Sequence, residues 1–501
     1  MNDVNTIVGR VDHFAAKDPQ KVAVMFGDRS ISYAQLADAS TRLASLLLER
    51  GVTAGERVCL IAGNCPEYLI FYHAVLRCGA ALFPINADLT VSEIAYILGH
   101  AEPVLVVCDE SHRTLLDSAL GQTKASVQNA VLETLVLMTQ GVDGAARSLP
   151  ARQPDDLALV IYTSGTTSAP KGVPATDRIE LRSAQAFAPV WKVTSADLFV
   201  CALPLSFLFG LHTATTVAFA QGASVLLFDR FHPVRVLEGV ERHRASVMLG
   251  VPTMYAMMLE HVSQTGRRYD LASVRLSASS GAPLAVTTRN ALERQLGLRV
   301  QDYYAVSECR PIFSFRADSQ GDVPAGSVGL MVPGVEVRII DDSGADVAAG
   351  ETGSILVRSP TLMEGYFRDD ERTACALVNG WFLTGDLGHQ DEKGFFYISG
   401  RTKDQVISGG QKISATEVEN VLLQHPAVAQ AAVVGVPDEK YGELLKAVLV
   451  LRAGARTDED ALREHCRERL ATYKLPRLYS FRNELPTSPA GKVLKRELIG
   501  H

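Results

Sequence analysis

The chain has 501 residues, 47% of them hydrophobic and 21% charged, and a net charge of −7. That length exceeds one compact core and predicts two or more domains. The acidic balance argues against a nucleic-acid partner, which needs a basic face. The eight cysteines, at 59, 65, 78, 108, 201, 309, 375 and 466, form no CxxC pair, so neither a zinc cluster nor a disulfide framework is expected and a reducing cytoplasm fits. The first twenty residues, "MNDVNTIVGRVDHFAAKDPQ", have no apolar core of signal-peptide length.

In chain order, "SYAQLADASTRLASLLLERG" from Ser32 puts Leu36, Leu43, Leu46 and Leu47 at helical spacing and stops at Gly51. "RVCLIA" follows as a buried strand, then "PEYLIFYHAVLRCG" as a helix with Pro66 in its first turn, then the strand-like "AALFPIN". Helices alternating with apolar strands predict parallel sheets with helices packed on them. "LALVIY" is another strand, and it runs straight into "TSGTTS", with five hydroxyls and a glycine, followed by "APKG" with Lys171. From Leu198 to Phe228 there is no Asp, Glu, Lys or Arg, a length that would allow a membrane span. Pro204, Gly210, His212, Gln221 and Gly222 interrupt it, so it reads as strand, loop, buried helix, turn and strand, with no membrane span. "ASVMLG", "SVRLSA" and "VQDYYAV" repeat the strand pattern.

Near Gly400 the chain changes character. "TGDLGHQDEKGFFYISGRTKDQVISGG" is turn-rich and polar, consistent with hairpins and a linker. Ser414 to Glu417 form a capping box before "VENVLLQ", "AVAQAAVVGV" and "LKAVLVL" are two strands, and "DEDALREHCRERLA" is an amphipathic helix. The expected architecture is α/β: a large domain of parallel sheets flanked by helices over residues 1–400, and a small α+β domain over 401–501.

The chemistry-bearing stretch is Leu157 to Pro174. Backbone N–H groups of a Gly-rich turn and Ser/Thr hydroxyls can wrap a phosphate chain, and a lysine adds a mobile positive charge. The spacing is not that of the GxxxxGK[ST] loop, and no GxGxxG follows a strand, so neither familiar nucleotide fingerprint is present. From the residues alone a solvated turn competes evenly with a phosphate site.

"YTSGTTSAPKG" resembles the signature loop of the acyl-adenylate-forming superfamily: acyl-CoA synthetases, adenylation domains and luciferases. "YYAVSE", "WFLTGDLG", "GRTKDQVISGGQKISATEVE" and "LPTSPAGKVLKREL" resemble its further motifs, in family order and across almost the whole chain. The resemblance implies an acid–CoA ligase. A carboxylate attacks the α-phosphorus of ATP to give an acyl-adenylate and pyrophosphate, and a thiol then displaces AMP. It implies that Thr163, Ser164, Gly165, Thr166, Thr167 and Lys171 hold the β- and γ-phosphates. Tyr304 would stack on adenine, Ser307 keep a hydroxyl at the nucleotide, and Asp386 accept from the ribose diol with Arg401 nearby. Glu308 would ligate Mg²⁺, and Lys492 bridge the acid and the α-phosphate as charge builds.

The same resemblance implies that the small domain rotates about Lys403, bringing Gly409, Gly410 and Lys412 against coenzyme A. It implies an acyl pocket of Phe207, Leu208, Leu211, Ser279, Ser280, Gly281 and Arg310, with Phe313 adjoining. Phe207 stands where many relatives have His, Ala305 where they have Gly, and "KGVPATDR" lacks their Thr-His. Arg310 is unusual: it could pair with a second acidic group on the substrate, or lie at the surface or against phosphate. The partner is a small carboxylic acid. A separate carrier protein is the alternative thiol acceptor, a luciferase-like oxygenase is a further rival, and a homodimer is compatible with the sequence.

Overall fold

The computed structural model describes residues 4–123, 127–139, 148–163, 170–318, 323–408, 411–487 and 493–499. Two mostly parallel sheets form the large part. One runs, in spatial order, through strands Gln128–Val131, Leu105–Cys108, Arg57–Ile61, Ala81–Pro84, Leu157–Thr163 and Lys171–Thr176, the last pair antiparallel. The other runs through Val300–Asp302, Leu276–Ser279, Val247–Gly250, Leu198–Cys201, Ser224–Leu227, Val22–Phe26 and Arg29–Ser32, again with one antiparallel pair at its edge.

The strands read as continuous apolar runs because both of their faces are covered. Alternate residues serve different cores. Val58, Leu60, Leu159 and Ile161 join Phe199, Val225, Leu249 and Ala278 in one shared cluster, whereas Cys59, Ile61 and Val160 face a second and Val200, Leu226 and Met248 a third. Helix Pro66–Arg77 contributes to the shared cluster and is buried on all sides except at Glu67, as its mostly apolar sequence requires.

Local chemistry sets the boundaries. Ser32 and Gln35 form a capping box at Tyr33–Glu49, and Thr90 and Glu93 form another at Val91–Ala101. The charge-free run folds as strand Leu198–Cys201, a π-helical segment Phe209–Thr216 continued by Val217–Ala220, a turn, and strand Ser224–Leu227. A Cβ at Gly210 would come within 2.3 Å of the Pro204 carbonyl oxygen, so that turn closes only over glycine. No helix among the described residues is long and apolar enough to cross a membrane, and all eight cysteines are free.

Two local expectations need correction. "VQDYYAV" is not one strand: Val300–Asp302 ends the seven-stranded sheet, and Tyr304–Val306 starts a separate antiparallel sheet with Cys309–Ser314 and Leu330–Met331. Buried Tyr303, packed edge-on against Trp191 and Phe187, is the joint between them. The capping box at Ser414 forms only its first half. Ser414 Oγ accepts from the Glu417 N–H, but the Glu417 carboxylate is taken by Lys474 at 2.6 and 2.7 Å.

A five-stranded antiparallel sheet, Glu336–Ile340, Gly353–Arg358, Trp381–Gln390, Leu377–Val378 and Phe396–Arg401, follows. The C-terminal unit is a second five-stranded sheet, Gln411–Ser414, Gln405–Ser408, Gly442–Leu451, Val428–Asp438 and Leu478–Arg482, under helices Ala415–Leu422 and Glu459–Arg467. It has its own core around Val406, Val418, Leu422, Leu445 and Leu462.

A buried clip ties the first helix to the sheets. Arg152 pairs with Asp177 and donates to the carbonyls of Leu76, Ala80 and Leu157, while Asp177 also accepts from the Ile7 N–H at 2.6 Å. Both side chains are essentially out of water. Arg152→Ala is expected to lower stability by about 3–5 kcal/mol, because it strands a buried carboxylate. Urea unfolding followed by tryptophan fluorescence measures this, and an unchanged midpoint would contradict it.

Candidate active site

Four segments converge at the C-terminal edge of the six-stranded sheet. The first is the hairpin of Leu157–Thr163 and Lys171–Thr176, in which Thr163 and Lys171 are opposite partners. Residues 164–169 lie outside the described residues, so Ser164, Gly165, Thr166 and Thr167 are placed only as the connection between those two. Thr163 Oγ1 is buried and has no hydrogen-bond partner among the described residues.

The second segment is the tight turn joining Tyr304–Val306 to Cys309–Ser314. Val306 and Cys309 pair across it, so Ser307 and Glu308 sit at the tip. The Glu308 side chain is 8% exposed. Lys171 Nζ lies 2.6 Å from its Oε1, and the Tyr366 hydroxyl donates to the same oxygen at 2.9 Å. Burial alone would raise the pKa of Glu308. The adjacent ammonium and the two hydrogen bonds outweigh it and hold the group below the usual carboxylate range.

Tyr366 brings the third segment, residues 359–369. Its backbone is fixed to both of the others: Met363 N–H donates to Glu308 O at 2.8 Å, and Phe367 N–H to Gly172 O at 2.9 Å. The fourth segment carries Asp386, whose carboxylate is nearly inaccessible and whose two oxygens each hold one partner. Arg401 Nε lies 2.8 Å from Oδ1, across the ladder of Trp381–Gln390 and Phe396–Arg401, and the Tyr304 hydroxyl donates to Oδ2. The Tyr304 ring lies against Phe313 with centroids 5.6 Å apart. Burial and the Asp386 charge both hold the Tyr304 phenol protonated.

Beside the turn is a second buried network. Glu180, on helix Asp177–Trp191, binds Arg310 through Oε1 and His212 Nδ1 at 2.6 Å through Oε2; His212 Nε2 is 2.7 Å from Ser183 Oγ. Arg310 also donates to the Ser307 carbonyl at 2.8 Å. Glu180 and His212 are fully buried and Arg310 is 3% exposed. Burial lowers the His212 pKa and leaves it neutral, while Arg310 and His212 hold Glu180 ionised against its own desolvation. Arg310 is therefore not at the surface: it is buried and paired with an internal carboxylate, while its Nε has no hydrogen-bond partner among the described residues.

The comparisons with known proteins agree with this geometry. Residues 11–367 match the family described as AMP-binding enzyme, and residues 417–492 match the AMP-binding enzyme C-terminal domain. The indoleacetate–CoA ligase of Aromatoleum aromaticum is 34% identical over 97% of this chain and 96% of its own. The long-chain-fatty-acid–CoA ligase of Bacillus subtilis is 31% identical over 97% and 92%. The crystal structure of ATP-bound MatB from Rhodopseudomonas palustris superposes with a TM-score of 0.91 at 32% identity, covering 100% of this chain and 98% of that one. The chain belongs to the AMP-binding enzyme family. It is an ATP-dependent, AMP-forming acid–CoA ligase with the adenylate-forming α/β fold.

In this ligase the structure brings Thr163, Lys171, Tyr304, Ser307, Glu308, Asp386 and Arg401 into one region. Of the expected acyl-pocket residues, Phe207 and Leu208 are half-buried, Leu211 is in the main core, and Gly281 is exposed. Ser280 Oγ donates to the Tyr303 carbonyl at 3.1 Å. Gly409, Gly410 and Lys492 lie outside the described residues. Lys412 is on strand Gln411–Ser414, and Lys403 is in the single turn Thr402–Asp404 between the last two sheets.

Sequence reasoning missed Tyr366, Glu180, His212 and Asp302. Glu180 and Ser183 stand one helical turn apart, and His212 is the lone histidine in a charge-free run; those were the available signals. Asp302 left none. It sits buried beside Ser279 across parallel strands. Burial raises the Asp302 pKa to about 7, only partly offset by the Leu284 N–H, the Ser279 hydroxyl and the Arg289 charge. The folded state thus binds this proton more tightly than the unfolded chain. The resulting stability is complete below about pH 4 and is lost as pH rises through about 7. Asp302→Asn is expected to remove that loss, so its melting-temperature advantage over the parent should grow between about pH 5 and about pH 8. A pH-independent difference would contradict the raised pKa.

Proposed function

We propose that this ligase activates a monocarboxylic acid: acid, ATP and coenzyme A give acyl-CoA, AMP and pyrophosphate. The observation that carries the monoacid reading is the Arg310–Glu180 pair. Bringing a second substrate carboxylate to it would add an unpaired anion to a network that is already neutral, which costs several kcal/mol.

In the first half-reaction the substrate carboxylate attacks the α-phosphorus of ATP and pyrophosphate leaves. Two anions must approach, so catalysis is chiefly electrostatic. Thr163, Ser164, Gly165, Thr166, Thr167 and Lys171 hold the departing β- and γ-phosphates, and the unpartnered Thr163 hydroxyl supports that reading. Tyr304 packs against adenine, Ser307 adds a hydroxyl beside the nucleotide, and Asp386 with Arg401 holds the ribose. Lys492 neutralises charge between the acid and the α-phosphate. Glu308 would supply a carboxylate oxygen to Mg²⁺, a hard ion that suits oxygen ligands and would offset phosphate charge when bound.

In the second half-reaction a thiolate attacks the acyl carbonyl and AMP leaves. The unit 401–501 turns about Lys403 against residues 1–400, exchanging Lys492 for the Gly409–Gly410 turn and Lys412, where the pantetheine arm passes close to backbone. Phe207, Leu208, Leu211, Ser279, Ser280 and Gly281 form the acyl side. A carrier protein in place of free coenzyme A is the alternative acceptor.

ATP–pyrophosphate exchange across mono- and dicarboxylic acids, with and without coenzyme A, tests the reading. Monoacids should exchange at least about tenfold faster than diacids of equal length, and thioester should form with free coenzyme A. A preference for diacids would overturn the monoacid assignment. Lys492→Ala should lose exchange by about a hundredfold or more. Gly410→Val should spare exchange and block thioester formation, and equal loss of both steps would refute that division of labour.

A further inference from the structure

Three polar atoms meet where the edge hairpin, the Ser307–Glu308 turn and the 359–369 segment converge. Lys171 Nζ is 2.6 Å from Glu308 Oε1 and donates to the Tyr366 hydroxyl at 2.7 Å; that hydroxyl donates to Glu308 Oε1 at 2.9 Å. The ammonium also lies 4.4 Å from the centre of the Tyr366 ring. Donors and acceptors match: the phenol accepts from the lysine with one lone pair and gives its only proton to the carboxylate. Burial first, then the Glu308 charge, raises the Tyr366 pKa far above neutrality, so it works here as a neutral phenol.

Tyr366 is itself braced. It is 8% exposed, and its N–H donates to Thr373 Oγ1 at 2.9 Å. The Met363 and Phe367 amides fasten the segment to Glu308 and Gly172, the residue following Lys171. The segment carrying the ring is thus tied to the backbone of Glu308 and to that of the residue next to Lys171.

That arrangement meets a specific need. For Lys171 to serve phosphate and Glu308 to serve a metal–nucleotide complex, their direct pair must open. Opening a half-buried ion pair leaves two charges without partners until ligand arrives. A phenol between them can keep the ammonium as acceptor, or the carboxylate as donor, through the exchange. We propose that Tyr366 is a positioning residue for ATP: its hydroxyl holds Lys171 and Glu308 at the phosphate end of the site and bridges them while the ion pair opens. This rests on the reading that Lys171 and Glu308 serve the nucleotide.

Tyr366→Phe removes one oxygen and keeps the ring. The expected result is a rise of about tenfold in both the KM for ATP and the calorimetric Kd for ATP, measured with magnesium and again with EDTA. The kcat at saturating ATP should fall less than about threefold, with the KM for the acid and the melting temperature unchanged. Thr373→Val, which loosens the same segment from outside the site, should raise the KM for ATP in the same direction by less. Lys171→Met is the reference, and adding Tyr366→Phe to it should weaken ATP no further, because both act through one contact. If Lys171→Met leaves ATP affinity unchanged, the assignment of the site fails. If Lys171→Met weakens ATP while Tyr366→Phe and Thr373→Val do not, Tyr366 is only a packing residue and the proposal is overturned. A Tyr366→Phe effect confined to kcat would overturn it equally.

Discussion

The Glu308 carboxylate, almost out of water and still ionised, is the constraint around which the nucleotide side of this ligase is arranged. Burial would drive it to take a proton; the Lys171 ammonium at 2.6 Å prevents that. The two charges come from different sheets, so satisfying them fixes how the hairpin at the edge of the six-stranded sheet meets the small three-stranded one. Asp386 does the same one joint further along, holding Tyr304 of the three-stranded sheet and Arg401 of the five-stranded one. The site is thus a set of electrostatic joints between separately hydrogen-bonded sheets.

Three ionic centres of the large part differ in exposure. Arg152–Asp177 and Arg310–Glu180–His212 have side chains at 4% exposure or less, and breaking either leaves a charge in the core at a cost of about 3–5 kcal/mol. The Lys171 side chain is 27% exposed, and partly solvated pairs are worth far less. A ligand of ordinary affinity can open the third pair but not the first two. The closed pairs belong to the packed interior, and the accessible one is the pair that a ligand can reach.

Much of the large fold could be read from residue order. Apolar strands alternating with capped helices announce parallel sheets, and Pro204, Gly210 and Gly222 break a stretch long enough for a membrane into pieces that fit a core. The same reading joined "VQDYYAV" into one strand, because alternation cannot reveal that Tyr303 is a joint. It completed a capping box at Ser414 that Lys474, sixty residues on, competes away through Glu417. Local rules succeed where the partner is within a turn or two and fail where a distant charge offers a better one.

The site divides along the same line. Sequence by itself singled out the hydroxyl-rich loop, Asp386 and Glu308 as site candidates, because short motifs keep their resemblance to a family wherever the chain folds. Only the tertiary structure decided what those groups rest on. Tyr366 lies 58 residues from Glu308 along the chain, and Glu180 lies 130 from Arg310. An isolated arginine in a sequence shows its charge but not whether that charge is spent. Neutralisation depends on which oxygen lies within about 3 Å after folding, and that distance is set by the packing of sheets whose contacts leave no period in the sequence.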